Sequence, residues 1–357
     1  MGVKRKSLVR GAQTNPSNRF LKASYEWRDD YLEYCRLEDE PIESERTKLI
    51  QVFPKTIVTK NSSPDVPFTW SINPYQGCEH GCIYCYARNS HEYWGYSMGK
   101  DFERTILYKP DAPKLLEKWF RKRGYKPEMI ALSGNTDCYQ PAERKLKITR
   151  EILKVFTDYR HPTGMITKNA LILRDLDLIQ DLSKDNLVRV TMSITTLNED
   201  LRRVMEPRTS SIRNRLKAVE VLSKAGVHVN VNLAPIIPAL NSHELFDLVK
   251  AAADHGAKSV NYIMVRLNGQ ISDIFEDWVY EHYPDRADKV LNLIRAAHDG
   301  TLNDSEWGKR MKGTGENAEQ IKAMFKVARD RFLPKTETPP LNTEAFRIPG
   351  RQLNLFS

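Results

Sequence analysis

The feature that most constrains the fold is an alternation of short apolar runs with helical patterns between residues 67 and 266. Six runs rich in β-branched and aromatic residues cover 68–72, 129–133, 164–167, 187–194, 227–234 and 259–265. Helical patterns between them cover 81–92, 143–158, 173–183, 211–225 and 242–255. Strands that alternate with helices favour a parallel sheet. Six such units predict an α/β fold of the partial (β/α)6 TIM-like barrel type.

The regions on either side of this alternation differ from it in composition. Positions 1–20 are basic and carry no acidic residue, and we expect them to be mobile. The last residues are rich in proline and polar side chains, which is typical of an extended or disordered segment. The chain is therefore divided into an N-terminal extension (1–66), the barrel (67–266), a helical C-terminal region with helices near 286–299 and 317–332 (267–335), and a flexible tail (336–357).

Composition excludes several classes of protein. With 40% hydrophobic residues among 357, the chain can bury a sizeable core and is not wholly disordered. No stretch approaches the roughly 20 apolar residues of a membrane span, and the basic N-terminus has no apolar core of a secretory signal. The number of cysteines, five, is odd and small for a chain of this length, which argues against a disulfide scaffold. It indicates a reducing, cytoplasmic location.

Three of the five cysteines lie within eight residues, as Cys78, Cys82 and Cys85 in the sequence CEHGCIYC. Thiolates at this spacing converge only if the backbone loops around a common centre, and soft thiolates select iron–sulfur clusters, zinc or copper. Three thiolates on a four-iron cluster leave one iron open to a substrate or cofactor. The alternative is a structural zinc site with His80 or His91 as the fourth ligand, although no second C-x2-C pair is present.

This C-x3-C-x2-C motif, with Tyr84 directly before the third cysteine, resembles the signature of the radical S-adenosylmethionine (SAM) superfamily. The resemblance implies a [4Fe-4S] cluster whose open iron binds SAM. It also implies reductive cleavage of SAM to a 5′-deoxyadenosyl radical, which abstracts hydrogen from the substrate. An electron donor such as flavodoxin or ferredoxin is implied as well.

Polar residues follow the predicted strands, where barrels of this kind gather reactive groups. The strand ends read NTD with Thr136 and Asp137, ITK with Lys168, SIT with Ser193, EPRTSSIRNR with Glu206 and Arg215, and APII. In this order they resemble the spore photoproduct lyase branch over roughly 70–265. The second predicted strand, at 129–133, is followed by small residues together with Thr136 and Asp137. The backbone and hydroxyl groups there are candidates to lie close to the ammonium group of a ligand.

The lyase resemblance assigns roles to these positions. It implies that Tyr84 contacts adenine, that Thr136, Lys168 and Ser193 hold the methionine or ribose part of SAM, and that Tyr86 is a radical-relay residue. Lys168 could instead be a solvated side chain at a strand end. Glu206 and Arg215 are either part of the SAM site or an ordinary surface or structural ion pair.

One position departs from the lyase pattern. The family's hydrogen-donor cysteine aligns with Gly134, while Cys138 lies on the other side of Asp137. We therefore predict either that Cys138 takes over the donor role or that the reaction differs. Cys138 could also be a small buried hydrophobe, and Cys35 is expected to be structural.

Two features point to a nucleic acid as partner. The net charge is +9, and KLLEKWFRKRGYK (114–126) mixes basic and aromatic side chains, as nucleic-acid surfaces do, although a solvated amphipathic helix has the same pattern. The terminal QLNLF, with Gln352, Leu353, Leu355 and Phe356, resembles the pentapeptide that docks bacterial repair proteins on the sliding clamp. The alternative is a tail that packs back on the body.

These observations predict a radical SAM enzyme that acts on DNA or another nucleic acid. Two alternatives remain open at this point. One is a radical SAM enzyme that acts on a small molecule or peptide, and the other is a non-catalytic, zinc-bound adaptor recruited to the clamp.

Overall fold

The computed structural model describes residues 10–20, 46–333 and 338–350. The strands are β1 (Lys48–Gln51), β2 (Val58–Lys60), β3 (Trp70–Ile72), β4 (Tyr75–Gln76), β5 (Thr105–Tyr108), β6 (Ile130–Leu132), β7 (Thr163–Thr167), β8 (Val188–Ser193), β9 (His228–Ile236) and β10 (Ser259–Met264).

The helices follow the strands in chain order. They are α1 (Lys100–Arg104), α2 (Ala112–Phe120), α3 (Glu143–Leu146), α4 (Ile148–Asp158), α5 (Leu176–Lys184), α6 (Glu199–Met205), α7 (Ile212–Lys224), α8 (Leu245–Asp254), α9 (Ile271–His282), α10 (Ala287–Ala297) and α11 (Gly315–Phe332). Short 3-10 helices cover Tyr86–Trp94, Ala170–Asp175, Ser242–Glu244 and Pro284–Arg286. No helix in the described ranges is long and apolar enough to cross a membrane.

The predicted barrel is confirmed by the larger sheet, which has the strand order β10-β9-β8-β7-β6-β3-β2. The six strands from β3 to β10 in this sheet are parallel, and β2 joins β3 in the antiparallel direction. All six lie at the apolar runs that predicted them. Since the carboxyl ends of parallel strands share one edge, the polar residues after each strand gather at one rim.

Burial follows the period of two that a strand imposes on its side chains. In β9, Val229, Val231 and Leu233 are fully buried while the residues between them are half-buried. Ile152 and Phe156 of α4 are also fully buried and belong to the same core as the strand residues. The core therefore lies between the sheet and the helices that surround it.

The helix predicted over 81–92 is wrong. Residues 77–85 form a loop, and only Tyr86–Trp94 coil as a 3-10 helix. Gly77 and Gly81 have φ angles of +79° and +68°, which end any helix. A Cβ on Gly77 would stand 2.6 Å from the Thr105 carbonyl oxygen, so the loop also needs glycine for close approach.

Helix α9 was not among the helices predicted from the sequence. Its residues Phe275 and Trp278 are fully buried in a second core with Ile237 and Leu291. Its buried residues, Ile271, Ile274, Phe275, Trp278 and Val279, have the i, i+3, i+4, i+7, i+8 spacing of an amphipathic helix. The helical pattern was therefore present in the sequence and was overlooked.

The expectation that positions 1–20 are mobile is wrong for residues 10–20, the part described. The backbone N–H groups of Gly11 and Ala12 donate to the two carboxylate oxygens of Glu103, at 2.9 and 2.8 Å. Ala12 is buried. The buried carboxylate of Glu103 thus fixes the segment of residues 10–20 beside the cysteine loop.

The described part of the tail, 338–350, has no helix or strand, but it is attached to the barrel rather than free. Phe346 contacts Phe120, Tyr125, Tyr159 and His161. Aromatic burial of this kind outweighs the low secondary-structure propensity of the segment. The predicted clamp motif, 352–356, lies outside the described residues.

Residues 301–314, which we call the strap, connect the two edges of the open sheet. On one side, the Met264 N–H donates to the Met311 carbonyl at 3.0 Å, which extends β10. On the other side, the Gly308 N–H donates to Asp65 at 2.8 Å, just beyond β2. Arg310 also binds Asp65 and so reinforces the second attachment.

Candidate functional site

The three clustered cysteines lie on the loop that follows β4. Cys78 and Cys82 are buried, Cys85 is half-buried, and none forms a disulfide. The Cys78 N–H donates to the Phe102 carbonyl at 2.8 Å, which ties the loop to α1. Burial raises the pKa of all three thiols. Thiolates in such surroundings need positive charge, and an iron–sulfur cluster supplies it, so the donor set fits this cofactor.

A buried ion pair stabilises the backbone of the cysteine loop. Arg88 and Glu103 are both fully buried and bind each other. Arg88 also donates through Nε to the Cys82 carbonyl at 3.0 Å and through Nη1 to the Met98 carbonyl at 3.0 Å. Sequence reasoning missed both residues, because nothing in the local pattern distinguishes Arg88 from a surface cation.

Of the two histidines proposed as zinc ligands, His80 is bound to other side chains, whereas both ring nitrogens of His91 are buried and have no hydrogen-bond partner among the described residues. His80 places Nδ1 at 3.3 Å from an Asp137 oxygen and Nε2 at 3.2 Å from the Asn169 amide nitrogen. His91 stacks on Tyr96 and meets Phe102 edge-on. Within the described ranges, no three His, Cys, Asp or Glu side chains gather as one metal ion would require. A four-iron cluster differs, since each thiolate binds a separate iron.

Asp137 connects the cysteine loop to the ends of β6 and β7. Besides His80, its carboxylate accepts from the Thr167 hydroxyl and from the Lys168 N–H, each at 2.8 Å. Burial acts to raise the Asp137 pKa, but the charge and hydrogen bond of His80 outweigh it and lower the pKa. The Thr136 hydroxyl donates to the Tyr75 carbonyl at 2.7 Å. Both side chains are thus held by protein groups, and their contact with SAM stays a prediction.

Glu206 is the centre of a second buried network. Its carboxylate accepts from Thr195 at 2.7 Å, from Arg215 at 2.6 Å and from the Tyr84 hydroxyl. Burial acts to raise the Glu206 pKa, yet the positive charges of Arg215 and Lys168 lower it to about 2. The structure therefore brings together four predicted site residues, Tyr84, Lys168, Glu206 and Arg215.

Lys168 is the half-buried cation of this network. Its Nζ lies 5.7 Å from the centre of the Tyr84 ring, within the range of a cation–π contact. Burial acts to lower the Lys168 pKa, but the negative charges of the Cys82 thiolate and the Glu206 carboxylate outweigh it and raise the pKa. A positive charge beside the cluster ligands at a strand end suits an anionic ligand.

Arg215 links several segments in the interior of the protein. Besides Glu206, it donates to the Ser210 carbonyl at 2.9 Å and to the Ser193 carbonyl at 3.1 Å. Ser193, the last residue of β8, is buried beside it. The possibility of a surface Glu206–Arg215 pair is therefore excluded, since both side chains are inaccessible.

The two candidate hydrogen donors have opposite surroundings. Tyr86 is 52% exposed, and its hydroxyl donates to the Gly134 carbonyl at 2.8 Å. A Cβ on Gly134 would stand 2.9 Å from the Cβ of Ser71, so the position has no room for a side chain. Cys138 is fully buried in the main core, and burial raises its pKa. These surroundings favour Tyr86 for chemistry and Cys138 for packing.

Comparison with known proteins agrees with this rim of thiols and polar strand ends. The family model described as "Radical SAM superfamily" matches residues 72–252. The chain belongs to the radical SAM superfamily. Members of the superfamily generally are enzymes that use a [4Fe-4S] cluster and SAM. The superfamily predicted from the cysteine motif is thus confirmed.

Two curated relatives extend over most of the chain. An uncharacterized protein of Mycobacterium tuberculosis is 30% identical over 232 residues, which cover 64% of this chain and 68% of the relative. An uncharacterized protein of Methanocaldococcus jannaschii is 27% identical over 247 residues, which cover 69% and 88%.

Solved structures of spore photoproduct lyase have the same fold. The complex with dinucleoside spore photoproduct superposes with a TM-score of 0.59 at 18% identity and covers 80% of each chain. A second structure of that enzyme, with bound AdoMet and dinucleoside spore photoproduct, gives the same values. The predicted likeness to this branch of radical SAM proteins is confirmed for the fold.

Proposed function

We propose that this protein is a radical SAM enzyme that abstracts hydrogen from a nucleic acid, with DNA as the first candidate. The observation that carries the proposal is the position of Tyr86. It is half exposed, directly follows the third cluster cysteine and is held by the backbone of Gly134 at the end of β6. A substrate at the rim of the barrel would therefore meet a tyrosine beside the cluster ligands.

Different residues of the rim would bind the cluster and the separate parts of SAM. Cys78, Cys82 and Cys85 would hold the [4Fe-4S] cluster, which with SAM supplies a radical that abstracts hydrogen when a reductant such as ferredoxin or flavodoxin delivers an electron. Lys168 would offer its positive charge to an anionic group of SAM. Glu206 would fix the Tyr84 hydroxyl and thereby the face of the ring that meets adenine.

Two observations favour a nucleic acid over other substrates. The chain carries a net charge of +9. The fold is that of an enzyme solved in complex with a dinucleoside photoproduct. Gly134 has no side chain and Cys138 is buried, so we propose that the way hydrogen is returned differs from that of the lyase family and depends on Tyr86. A cytoplasmic location, where thiols stay reduced, belongs to the same proposal.

Deuterium transfer tests this function directly. The anaerobically reconstituted full chain is given SAM, dithionite and deuterated DNA, either irradiated or not, and 5′-deoxyadenosine is analysed by mass spectrometry. We expect deuterium in 5′-deoxyadenosine with at least one DNA. If SAM is cleaved but no nucleic acid donates deuterium, the substrate is a small molecule or a peptide.

The same assay separates abstraction from later steps. Tyr86→Phe is expected to retain deuterium transfer and to lose DNA product, because the relay hydroxyl acts after abstraction. Tyr93→Phe is the matched control, since Tyr93 is exposed on the same 3-10 helix. Equal product from the two variants would remove Tyr86 from the mechanism.

We further propose that Gln352, Leu353, Leu355 and Phe356 dock the enzyme on the bacterial sliding clamp. The support is the anchorage of the preceding residues at the face opposite the proposed site. The Asn342 N–H donates to the Asn186 carbonyl just before β8 at 3.0 Å, at the amino end of that strand. A clamp bound beyond residue 350 would therefore leave the rim open.

Deletion of residues 352–356 tests the clamp proposal. We expect affinity for a purified clamp to fall about thirtyfold or more, as for loss of an interface anchor worth about 2 kcal/mol. A scrambled tail of the same composition is the control and is expected to fail likewise. Undiminished binding after deletion would exclude this mode of docking.

A further inference from the structure

The loop that follows the last parallel strand carries an arginine without an ionic partner. Arg266 is half-buried, and no hydrogen bond or ion pair joins its guanidinium to any residue in the described ranges. Burial lowers its pKa, and the nearby charge of Arg310 lowers it further. An arginine in this state is costly for the free protein and is typical of a site that receives an anion.

The carboxylate with the largest electrostatic effect on Arg266, Asp65, is already bound to other groups. Asp65 accepts from the Gly308 N–H at 2.8 Å and binds Arg310 in the strap. Its effect on Arg266 is weaker than the repulsion from Arg310. A ligand phosphate would supply the direct ionic partner that neither Asp65 nor Asp304 provides within the described ranges.

The loop holds Arg266 at the reactive rim. The Val265 N–H donates to the Ile236 carbonyl at 2.9 Å, where β9 ends. The Asn89 amide donates to the Asn268 carbonyl at 3.0 Å, which ties the loop to the 3-10 helix that begins at Tyr86.

The electrostatic coupling is consistent with this placement. Arg266 and Tyr86 shift each other's pKa through space. This agrees with the Asn89–Asn268 hydrogen bond, which brings the loop of Arg266 against the 3-10 helix that begins at Tyr86.

Amide oxygens beside this arginine have no protein partner. The side-chain oxygens of Asn89, Asn268 and Gln270 are buried and accept no hydrogen bond from a described residue. A Cβ on Gly269 would stand 3.1 Å from the Asn89 oxygen, so that oxygen packs against the loop that carries Asn268 and Gln270. Buried acceptors are normally satisfied, and the amino and imino groups of nucleobases are donors of the right kind.

We propose that residues 266–270, with Asn89, form the substrate clamp of this enzyme. In it Arg266 binds a backbone phosphate, and the amides bind the edge of the base that faces Tyr86. The inference rests on the proposed function and adds to it the groups that recognise the nucleic acid. The planar guanidinium of Arg266 can donate to two oxygens of one phosphate. A free mononucleotide also carries such a phosphate, but it lacks the adjacent nucleotides of a DNA strand.

Binding of a labelled single-stranded DNA oligonucleotide to the reconstituted full chain with SAM tests this clamp by fluorescence anisotropy. We expect Arg266→Gln to weaken binding about tenfold and to reduce the slope of log affinity against log salt by about 0.7. Arg266→Lys keeps the charge and is expected to retain the salt slope with lower affinity. Arg286→Gln, which removes an exposed arginine, is the charge-matched control and is expected to bind as the wild type does.

The outcomes distinguish this inference from the proposed function. Retained cluster absorbance shows that Arg266→Gln is folded. Equal binding by wild type and folded Arg266→Gln would contradict the substrate clamp of residues 266–270 and Asn89 and would leave the proposed nucleic-acid function standing. A wild type that binds no oligonucleotide would overturn the nucleic-acid function itself. A mononucleotide that binds as tightly as the oligonucleotide would overturn backbone recognition.

Discussion

Replacing Cys78, Cys82 and Cys85 together by alanine is expected to lower bound iron from about four per chain to none. The three thiols on the loop after β4 are the proposed cluster ligands, so their loss removes every protein ligand that the proposal assigns to the cluster. Iron and labile sulfide would be measured after anaerobic reconstitution, together with visible absorbance. The variant is also expected to release no 5′-deoxyadenosine from SAM, whatever the reductant.

Cys138→Ala provides the matched control for this result. It removes a buried thiol from the same chain but from the main core rather than the loop. We expect iron content to remain that of the wild type, with some loss of stability because the core loses a sulfur atom. A wild type that binds zinc and no iron would contradict the cluster assignment and revive the adaptor hypothesis.

Glu206→Gln is expected to lower the free energy of unfolding by about 3–5 kcal/mol, the usual cost of leaving a buried charge without its partner. The carboxylate faces Arg215 and Lys168 in a region closed to solvent. The amide of glutamine is neutral and cannot offset either cation. Urea unfolding of the apo protein, followed by far-UV circular dichroism, would measure the change.

Two further variants sharpen this measurement. Glu220→Gln removes a carboxylate that binds two exposed lysines on α7, and we expect little change because such pairs are screened by water. Adding Arg215→Met to Glu206→Gln removes one stranded cation and is expected to recover part of the loss. If Glu206→Gln is no less stable than Glu220→Gln, the network does not stabilise the fold.

The parallel sheet was predictable because its signal is local and repeated. Each strand is a short apolar run, and two glycines, Gly226 and Gly256, end the helices before β9 and β10 with φ angles of +84° and +88°. Helix α9 was missed although its buried residues have the spacing of an amphipathic helix. The 3-10 helix after the cysteine loop was not predictable in this way, because it depends on tight turns at Gly77 and Gly81.

The site was predictable only where a motif marks it. The cysteine triad and the polar strand ends have fixed spacing, so Lys168, Glu206 and Arg215 were expected at one rim. The residues that support them are distant in sequence and have no motif. Glu103 reaches back to Gly11 as well as Arg88, and His80 meets Asn169 across the barrel.

The sequence alone therefore determined the class of fold, the cysteine triad proposed to hold the cluster and the set of strand ends, because periodicity and ligand spacing are properties of neighbouring residues. Tertiary structure alone decided which candidate hydrogen donor is exposed. Gly134 and Cys138 are four residues apart, yet a tight approach to Ser71 leaves the first without space and the core encloses the second. It also decided that Arg266 lacks a partner, since Asp65 is bound by the strap. Burial and charge compensation depend on what the folded chain brings nearby, which no local pattern records.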